Sequence, residues 1–143
     1  MRPLHLIMLT AAASLLSAQA PAPKYVEGQI WHYRTRTQDV GSLLKIQKIE
    51  PYGPGKVYHL SIAGVHLGAK GIADRLPHIP VSDQTLDASV TTLSDTKQDF
   101  PLADTQRGIE TWKQAEGGVF TITVSEIVDI VDSQTRSLPQ PKS

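Results

Sequence analysis

The stretch LLKIQKIEPYGPGKVYHLSIAG, residues 43–64, decides the fold of this 143-residue chain. Apolar and polar residues alternate on both sides of its centre, which is the period-2 pattern of a half-buried β-strand. The centre, Pro51–Gly55, combines two prolines that fix φ with two glycines that accept positive φ, and it therefore predicts a tight turn. We expect antiparallel strands over residues 43–50 and 56–64.

A further strand is predicted upstream, over residues 25–37. This segment, YVEGQIWHYRTRT, is rich in β-branched and aromatic residues. Alternation places Trp31 and Tyr33 on one face of the strand and His32 on the other. Consecutive strands with short connections usually lie side by side, so the three strands should form an antiparallel meander in chain order.

Two helices are predicted in the middle of the chain. Ser82 is a suitable N-cap for a helix that runs to about Leu93, because apolar residues recur there at i, i+4 and i+7. A second helix should begin at Asp104 or Thr105 and end before Gly117.

The segment after these helices begins with a capping box. Thr123 and Glu126 have the spacing in which each side chain accepts a hydrogen bond from an unpaired N–H of the other residue. We therefore predict a third helix that keeps Glu126 off the apolar stripe, although residues 119–131 could also be interpreted as one long strand. Residues 119–123 would then be a short fourth strand or an extended link.

The predicted fold class is a small α+β domain over residues 25–132. A three-stranded antiparallel meander, with a fourth short strand as an alternative, packs against two to three helices. Residues 21–24 are predicted to be a linker, and residues 133–143 a disordered tail with two prolines.

The first twenty residues have the composition of a secretory signal peptide. Arg2 supplies a positive charge, residues 4–16 are largely apolar, and Ala18-Gln19-Ala20 forms a small-x-small cleavage site. The apolar run is shorter than the ~20 residues of a membrane-spanning helix. We therefore expect export to the periplasm or the extracellular space and no stable membrane insertion after cleavage. Pro21 follows the expected cut and favours slow cleavage or cleavage at a neighbouring bond.

Charge and cysteine content narrow the function classes. The chain has 14 Lys and Arg against 14 Asp and Glu, so it lacks a broad positive field, and nucleic acid is not an expected partner. It has no cysteine, which excludes a thiolate nucleophile, a Cys-ligated zinc site and an iron–sulfur cluster. Without disulfides, the fold must be stabilised by its core.

The segment between Gly64 and Pro80 is predicted to be an irregular loop. Glycines recur at its start, and Pro77 and Pro80 bracket two residues near its end. Loops on a rigid scaffold commonly carry recognition. The candidate binding residues are the basic and imidazole side chains of this loop, namely His66, Lys70, Arg75 and His78.

The histidines are also the candidate metal ligands, and the three considered are His32, His59 and His66. No two histidines have the spacing HxH, HxxxH or HExxH, so no metal site and no cofactor are predicted. Alternation places His32 and His59 opposite the apolar face of the sheet, which favours solvent exposure of both.

No catalytic residues are predicted either. The serine motif GxSxG and the phosphate-loop motif GxxxxGK[ST] are both absent. Carboxylates that a glycosidase would need are interpreted as helix-surface charges. They are Asp83, Asp87, Asp129 and Asp132.

Three segments, GQIWHYRTR at 28–36, LPHIPVS at 76–82 and GVFT at 118–121, are spread over the chain beyond the leader. In these segments the chain resembles small, functionally uncharacterised bacterial proteins. The resemblance implies a small α+β domain and brings no catalytic residues with it.

The sequence favours an exported domain that binds a protein or a small molecule over an enzyme. One alternative is a small periplasmic hydrolase, with or without a metal, that uses His32, His59 or His66. The other is an inhibitor or immunity-like protein.

Overall fold

The hairpin at residues 43–64 forms the centre of the fold. The structure is a computed structural model and describes residues 22–69 and 72–139. Strand β2, Leu43–Tyr52, pairs antiparallel with β3, Gly55–Leu67. The register places Leu44 opposite Ile62 and Ile46 opposite Leu60, and these side chains are almost completely buried. The predicted hairpin and its turn are therefore confirmed.

The sheet has five antiparallel strands in the order β4-β3-β2-β1-β5. Strand β1 is Ile30–Tyr33, and the predicted meander β1-β2-β3 forms the centre of the sheet. Strand β1 is shorter than predicted, because a turn closed by a hydrogen bond from Gln29 N to Val26 O precedes it. A 3₁₀ turn, Thr37–Asp39, follows it.

The prediction of a loop between Gly64 and Pro80 is wrong. Strand β3 continues to Leu67, and β4, Ile72–Val81, pairs with it at the edge of the sheet. Proline is tolerated on an edge strand because the missing N–H can face away from the ladder. The β3–β4 register also shifts between Leu60 and Ile62, and such irregularities accommodate proline.

Helix α1, Asp83–Ser89, begins at the predicted N-cap, since Ser82 Oγ accepts a hydrogen bond from Thr85 N at 3.3 Å. It ends four residues before the predicted Leu93. The chain instead continues as β5, Val90–Ser94, which pairs with β1. Valine and threonine dominate this segment, and their branched side chains favour a strand once a partner edge is available.

Two further helices lie in the described residues: α2, Leu102–Gln114, and α3, Val124–Ser137. Helix α2 begins earlier than predicted. The capping box of α3 is confirmed: Glu126 N donates to Thr123 Oγ1 at 3.3 Å, and Thr123 N donates to Glu126 Oε2 at 2.9 Å. Only Phe120 of the segment before it joins the sheet, through an isolated bridge to Val81.

The two faces of the sheet differ in chemistry. One face is apolar and is covered by α1 and α3, which contribute Leu86, Val124, Ile127 and Val128 to the main core. The other face is more polar and carries His59 and Ser61. Helix α2 covers it, with a hydrogen bond from Thr105 Oγ1 to Pro77 O at 2.7 Å.

The predictions for the two ends of the chain have different outcomes. Helix α3 runs to Ser137, so residues 133–137, which were predicted to be disordered, are helical. The predicted signal peptide, residues 1–20, lies outside the described residues, as do Pro21 and residues 140–143. No helix in the described part of the chain has the length and apolar content needed to cross a membrane.

Candidate functional site

Three of the four candidate binding residues lie on strands and not on a surface loop. His66 lies on β3 and His78 on β4, and the ladder pairs His66 with Ala73 and His59 with Pro80. His78 lies five residues along β4 from Ala73, so at about 3.3 Å per residue His66 and His78 are about 17 Å apart along the strands. Arg75 is exposed on β4, and Lys70 lies outside the described residues.

The three candidate metal ligands are also separated. His32 is exposed on β1 as predicted, whereas His59 is completely buried, contrary to the prediction. His59 is buried because α2 packs over this face of the sheet. The Nδ1 atom of His66 lies 3.4 Å from Asp39 Oδ1. Among residues 22–69 and 72–139, no group of three or more His, Cys, Asp or Glu side chains is arranged to hold a metal ion.

His59, which is completely buried, and His78, which is half-buried, form a pair beneath α2. The Nδ1 atom of His59 lies 2.8 Å from Nε2 of His78. The indole of Trp112 packs edge-on against both rings, with centroid distances of 5.1 and 6.4 Å. A Cβ at Gly108 would lie 2.4 Å from the Cβ of His78, so the glycine allows the close approach of α2.

Burial makes this pair neutral at neutral pH, because it lowers the pKa values of His59 and His78 to about 4. One ring must then donate to the other. The Nε2 atom of His59 is buried without a hydrogen-bond partner in the described structure and lies 3.9 Å from Glu50 Oε1. The carboxylate favours the tautomer with a proton on that nitrogen, and His78 Nε2 then donates to His59 Nδ1.

Glu50 connects this pair to the protein surface. Its carboxylate lies 2.9 Å from Lys48 Nζ and 3.1 Å from Lys113 Nζ. Burial alone would raise the pKa of Glu50, but hydrogen bonds from both lysines outweigh it and hold the pKa below its ordinary value. The two lysines are therefore held at one carboxylate.

A cleft opens beside the pair, between the tip of the β2–β3 hairpin and the end of α2. We call it the aromatic cleft. Its volume is about 350 Å³, and its lining consists of Tyr52, Trp112, Lys113, Glu116 and Gly117. Tyr52 is 37% exposed, and its ring lies 5.8 Å from the Trp112 ring, with the planes tilted by 39°. Hydrogen bonds to the Gly117 and Gly118 carbonyls, from Tyr52 Oη at 3.4 Å and Trp112 Nε1 at 2.9 Å, position the two rings.

Glu116 stands in a strained conformation at the edge of this cleft. Its φ is 50°, and no other non-glycine residue in the described part of the chain has a positive φ. A left-handed residue commonly follows the end of a helix, but it is usually glycine or asparagine. Glycine occupies the next position instead, because a Cβ on Gly117 would lie 2.1 Å from Trp112 Cδ1.

A second polar cluster, the Arg36 network, lies on the other side of the molecule. Arg36 donates to Asp39 at 2.6 Å, Asp132 at 2.9 Å, Asp129 at 3.2 Å and the His66 carbonyl at 2.9 Å. Asp132, predicted to lie on the surface, is buried. Burial alone would raise its pKa, but hydrogen bonds from Arg36, Gly68 N and Arg136 hold the pKa below its usual range. This network joins the 3₁₀ turn, β3 and α3.

The sequence alone did not predict the aromatic cleft or the Arg36 network. The partners of Arg36 lie up to 96 positions away, and Tyr52 and Trp112 belong to different elements. The local signals are Gly108, an isolated glycine inside α2, and the pair Gly117-Gly118 after the helix, because glycine often marks a close approach of another group.

No protein-family model, curated protein or solved structure matches this chain. The resemblance to small bacterial proteins stays a prediction. Function is therefore argued from the geometry of the described residues.

Proposed function

We propose that this chain is an exported binding domain and that the aromatic cleft is its ligand site. The observation that carries the proposal is the half-exposed Tyr52 ring beside Trp112, in a cleft whose edge holds the strained Glu116. Aromatic walls with a few fixed polar groups are typical of ligand sites. Backbone strain also concentrates at such sites.

The size and rigidity of the cleft support this assignment. Ligand sites commonly have volumes of about 300–1,000 Å³, and the cleft lies within that range. Two hydrogen bonds hold its rings against the backbone that follows α2, so little side-chain entropy remains to be lost on binding. A rigid aromatic surface of this kind suits recognition.

A hydrolase that uses His59 is a weaker proposal. The side chain is completely buried beneath α2 and Trp112, so a substrate would reach Nε2 only after the helix had moved. A general base must come within hydrogen-bond reach of the proton that it removes.

Ligand binding can be tested by NMR on the ¹⁵N-labelled full-length protein. A small-molecule extract of the native cells, below 1 kDa, is added to the wild type and to Tyr52→Ala. We expect saturable shifts of amides around Tyr52 and residues 112–117 in the wild type, and their loss in the variant. Shifts that map elsewhere, or that persist in Tyr52→Ala, would contradict the assignment. The control Tyr25→Ala removes an aromatic ring from the opposite face of the sheet.

Export is tested separately, by the intact mass of the protein from fractionated native cells. We expect a periplasmic or extracellular form that begins at or near Pro21. A full-length mass confined to the cytosolic fraction would contradict export.

A further inference from the structure

We infer that the aromatic cleft selects a ligand that carries an organic ammonium group. This inference rests on the proposed ligand site and names the chemistry of its ligand. Three features of the cleft favour a positive charge: a carboxylate with no ion pair among the described residues, the end of a helix, and a partly exposed pair of aromatic rings.

The first feature is the charge balance of the lining. Lys113 and Glu116 are the charged residues of the cleft. Lys113 is held at Glu50, with Nζ 3.2 and 3.1 Å from its two oxygens. Within the part of the chain that the structure describes, no side chain forms an ion pair with Glu116. Lys113 is therefore occupied by Glu50, which it shares with Lys48, whereas the Glu116 carboxylate has no ion-pair partner among the described residues and can meet a ligand.

The second feature is the position of the cleft at the C-terminal end of α2. The helix ends at Gln114, and the next residues form the cleft wall. The aligned peptide dipoles place about half a negative charge at this end of a helix. Its potential adds to that of Glu116, so an anionic ligand would be repelled by both.

The third feature is the aromatic pair. The faces of Tyr and Trp rings carry negative potential and attract cations within about 6 Å of the ring centre. The Tyr52 ring is exposed, and Trp112 lies beside it. A neutral ligand could stack on the same rings, but it would make no use of Glu116 or of the helix end.

The shared chemistry, an alkylammonium group, has two sources: a free small molecule or a lysine side chain of a protein partner. Choline serves as the probe for the first and Nα-acetyl-lysine methylamide for the second. The uncharged analogue 3,3-dimethylbutan-1-ol has the shape of choline and tests the charge alone. All titrations are made at constant ionic strength, because exposed charges are screened by salt.

The readout is the pair of indole N–H signals of the full-length protein. The chain has two tryptophans, and Trp31 lies in the core on the other face of the sheet. We expect one of the ammonium probes to shift the Trp112 signal saturably and to leave the Trp31 signal in place. The uncharged analogue should bind at least about fivefold more weakly, because the interaction between exposed charges is lost.

Two matched variants test whether the Glu116 carboxylate is the group that attracts the ammonium probe. Glu116→Gln should weaken binding of the ammonium probe by about threefold to fivefold. Glu110→Gln makes the same change within α2, outside the aromatic cleft, and it should leave the affinity unchanged. The Trp31 signal reports whether each variant is folded.

The outcomes separate this inference from the proposed function. Equal affinity for choline and its uncharged analogue, or equal effects of Glu116→Gln and Glu110→Gln, would overturn the ammonium inference while leaving the cleft as a ligand site. Failure of both ammonium probes to shift Trp112 would also overturn it. The extract titration decides independently whether the cleft binds any ligand.

Discussion

Arg36 reaches three carboxylates and one backbone carbonyl from a side chain that is only 7% exposed. Arg36→Met would leave Asp39 and Asp132 buried without their main cation. Breaking a buried ion pair from one side costs about 3–5 kcal/mol, and we expect a loss of that size in the free energy of unfolding. Urea denaturation at pH 7, followed by circular dichroism, measures it.

The control for Arg36→Met is Arg107→Met. Arg107 also forms an ion pair with an aspartate, Asp104, but it is mostly exposed, and exposed pairs contribute about 0–1 kcal/mol. If the two variants lost similar amounts of unfolding free energy, the prediction would be contradicted, and water would be replacing the guanidinium in the Arg36 network.

The His59–His78 pair predicts a second effect of single residues, on the pH dependence of stability. In the folded chain both pKa values lie at about 4, whereas unfolded histidine has a pKa near 6.5. The unfolded state therefore binds more protons between these values, and stability must fall as the pH falls from 6.5 to 4. Glu50, Lys48 and Lys113 surround His59 and modify the effect.

We expect the free energy of unfolding to be lower at pH 5.0 than at pH 7.5 by an amount on the order of 4 kcal/mol, to which each histidine contributes about half. Urea denaturation at the two pH values measures the difference. The control His32→Gln changes an exposed histidine, and this variant should show the same fall in unfolding free energy between pH 7.5 and pH 5.0. NMR titration adds a direct check, because imidazole signals of His59 and His78 that titrate near pH 6.5 in the folded protein would contradict the explanation.

At the scale of elements, helix caps and turns could be predicted because each is determined by residues that are close together in the sequence. The Pro51–Gly55 turn, the Ser82 cap and the Thr123–Glu126 capping box each depend on residues within four positions of one another. Strands β4 and β5 depend on distant partners. Prolines in β4 are acceptable only at an edge. In the sequence Val90 fits the apolar spacing of helix α1, but in the structure it begins β5 because β1 provides hydrogen-bond partners.

The end of α2 provides a prediction at this scale. Glycine accepts the left-handed conformation of Glu116 without the steric cost of a Cβ. We expect Glu116→Gly to stabilise the protein by about 1 kcal/mol, measured by thermal or urea unfolding. If the aromatic cleft binds an ammonium group, the same change should weaken binding.

Two controls distinguish backbone strain from charge. Glu110→Gly lies inside α2 and should destabilise by about 1 kcal/mol, the opposite sign. Glu116→Ala removes the carboxylate near the negative end of the helix but retains the strain. Equal stabilisation by Glu116→Ala and Glu116→Gly would attribute the gain to charge and contradict the strain argument.

At the scale of the whole molecule, the aromatic cleft and the Arg36 network both form where distant elements meet. The aromatic cleft combines a hairpin tip near residue 52 with a helix end near residue 116, and the Arg36 network joins the 3₁₀ turn, β3 and α3. Alternation predicted correctly that His59 lies opposite Leu60. Its burial depends on α2, which packs on that face through Gly108, and no local pattern specifies that contact.

The sheet order also predicts how stability is distributed over the molecule. Strands β2 and β3 are flanked on both sides and supply the most buried side chains, whereas β5 is a five-residue edge with exposed Thr91 and Leu93. We expect the amides of β2 and β3 to exchange with solvent only on global unfolding, and those of β5 by local opening.

Ile46→Val should lower the free energy of unfolding by about 0.5–1.5 kcal/mol. Native-state hydrogen exchange should then show this full loss at Leu60 and Ile62 and no change at β5. A uniform loss across all five strands would show instead that the sheet opens as one cooperative unit.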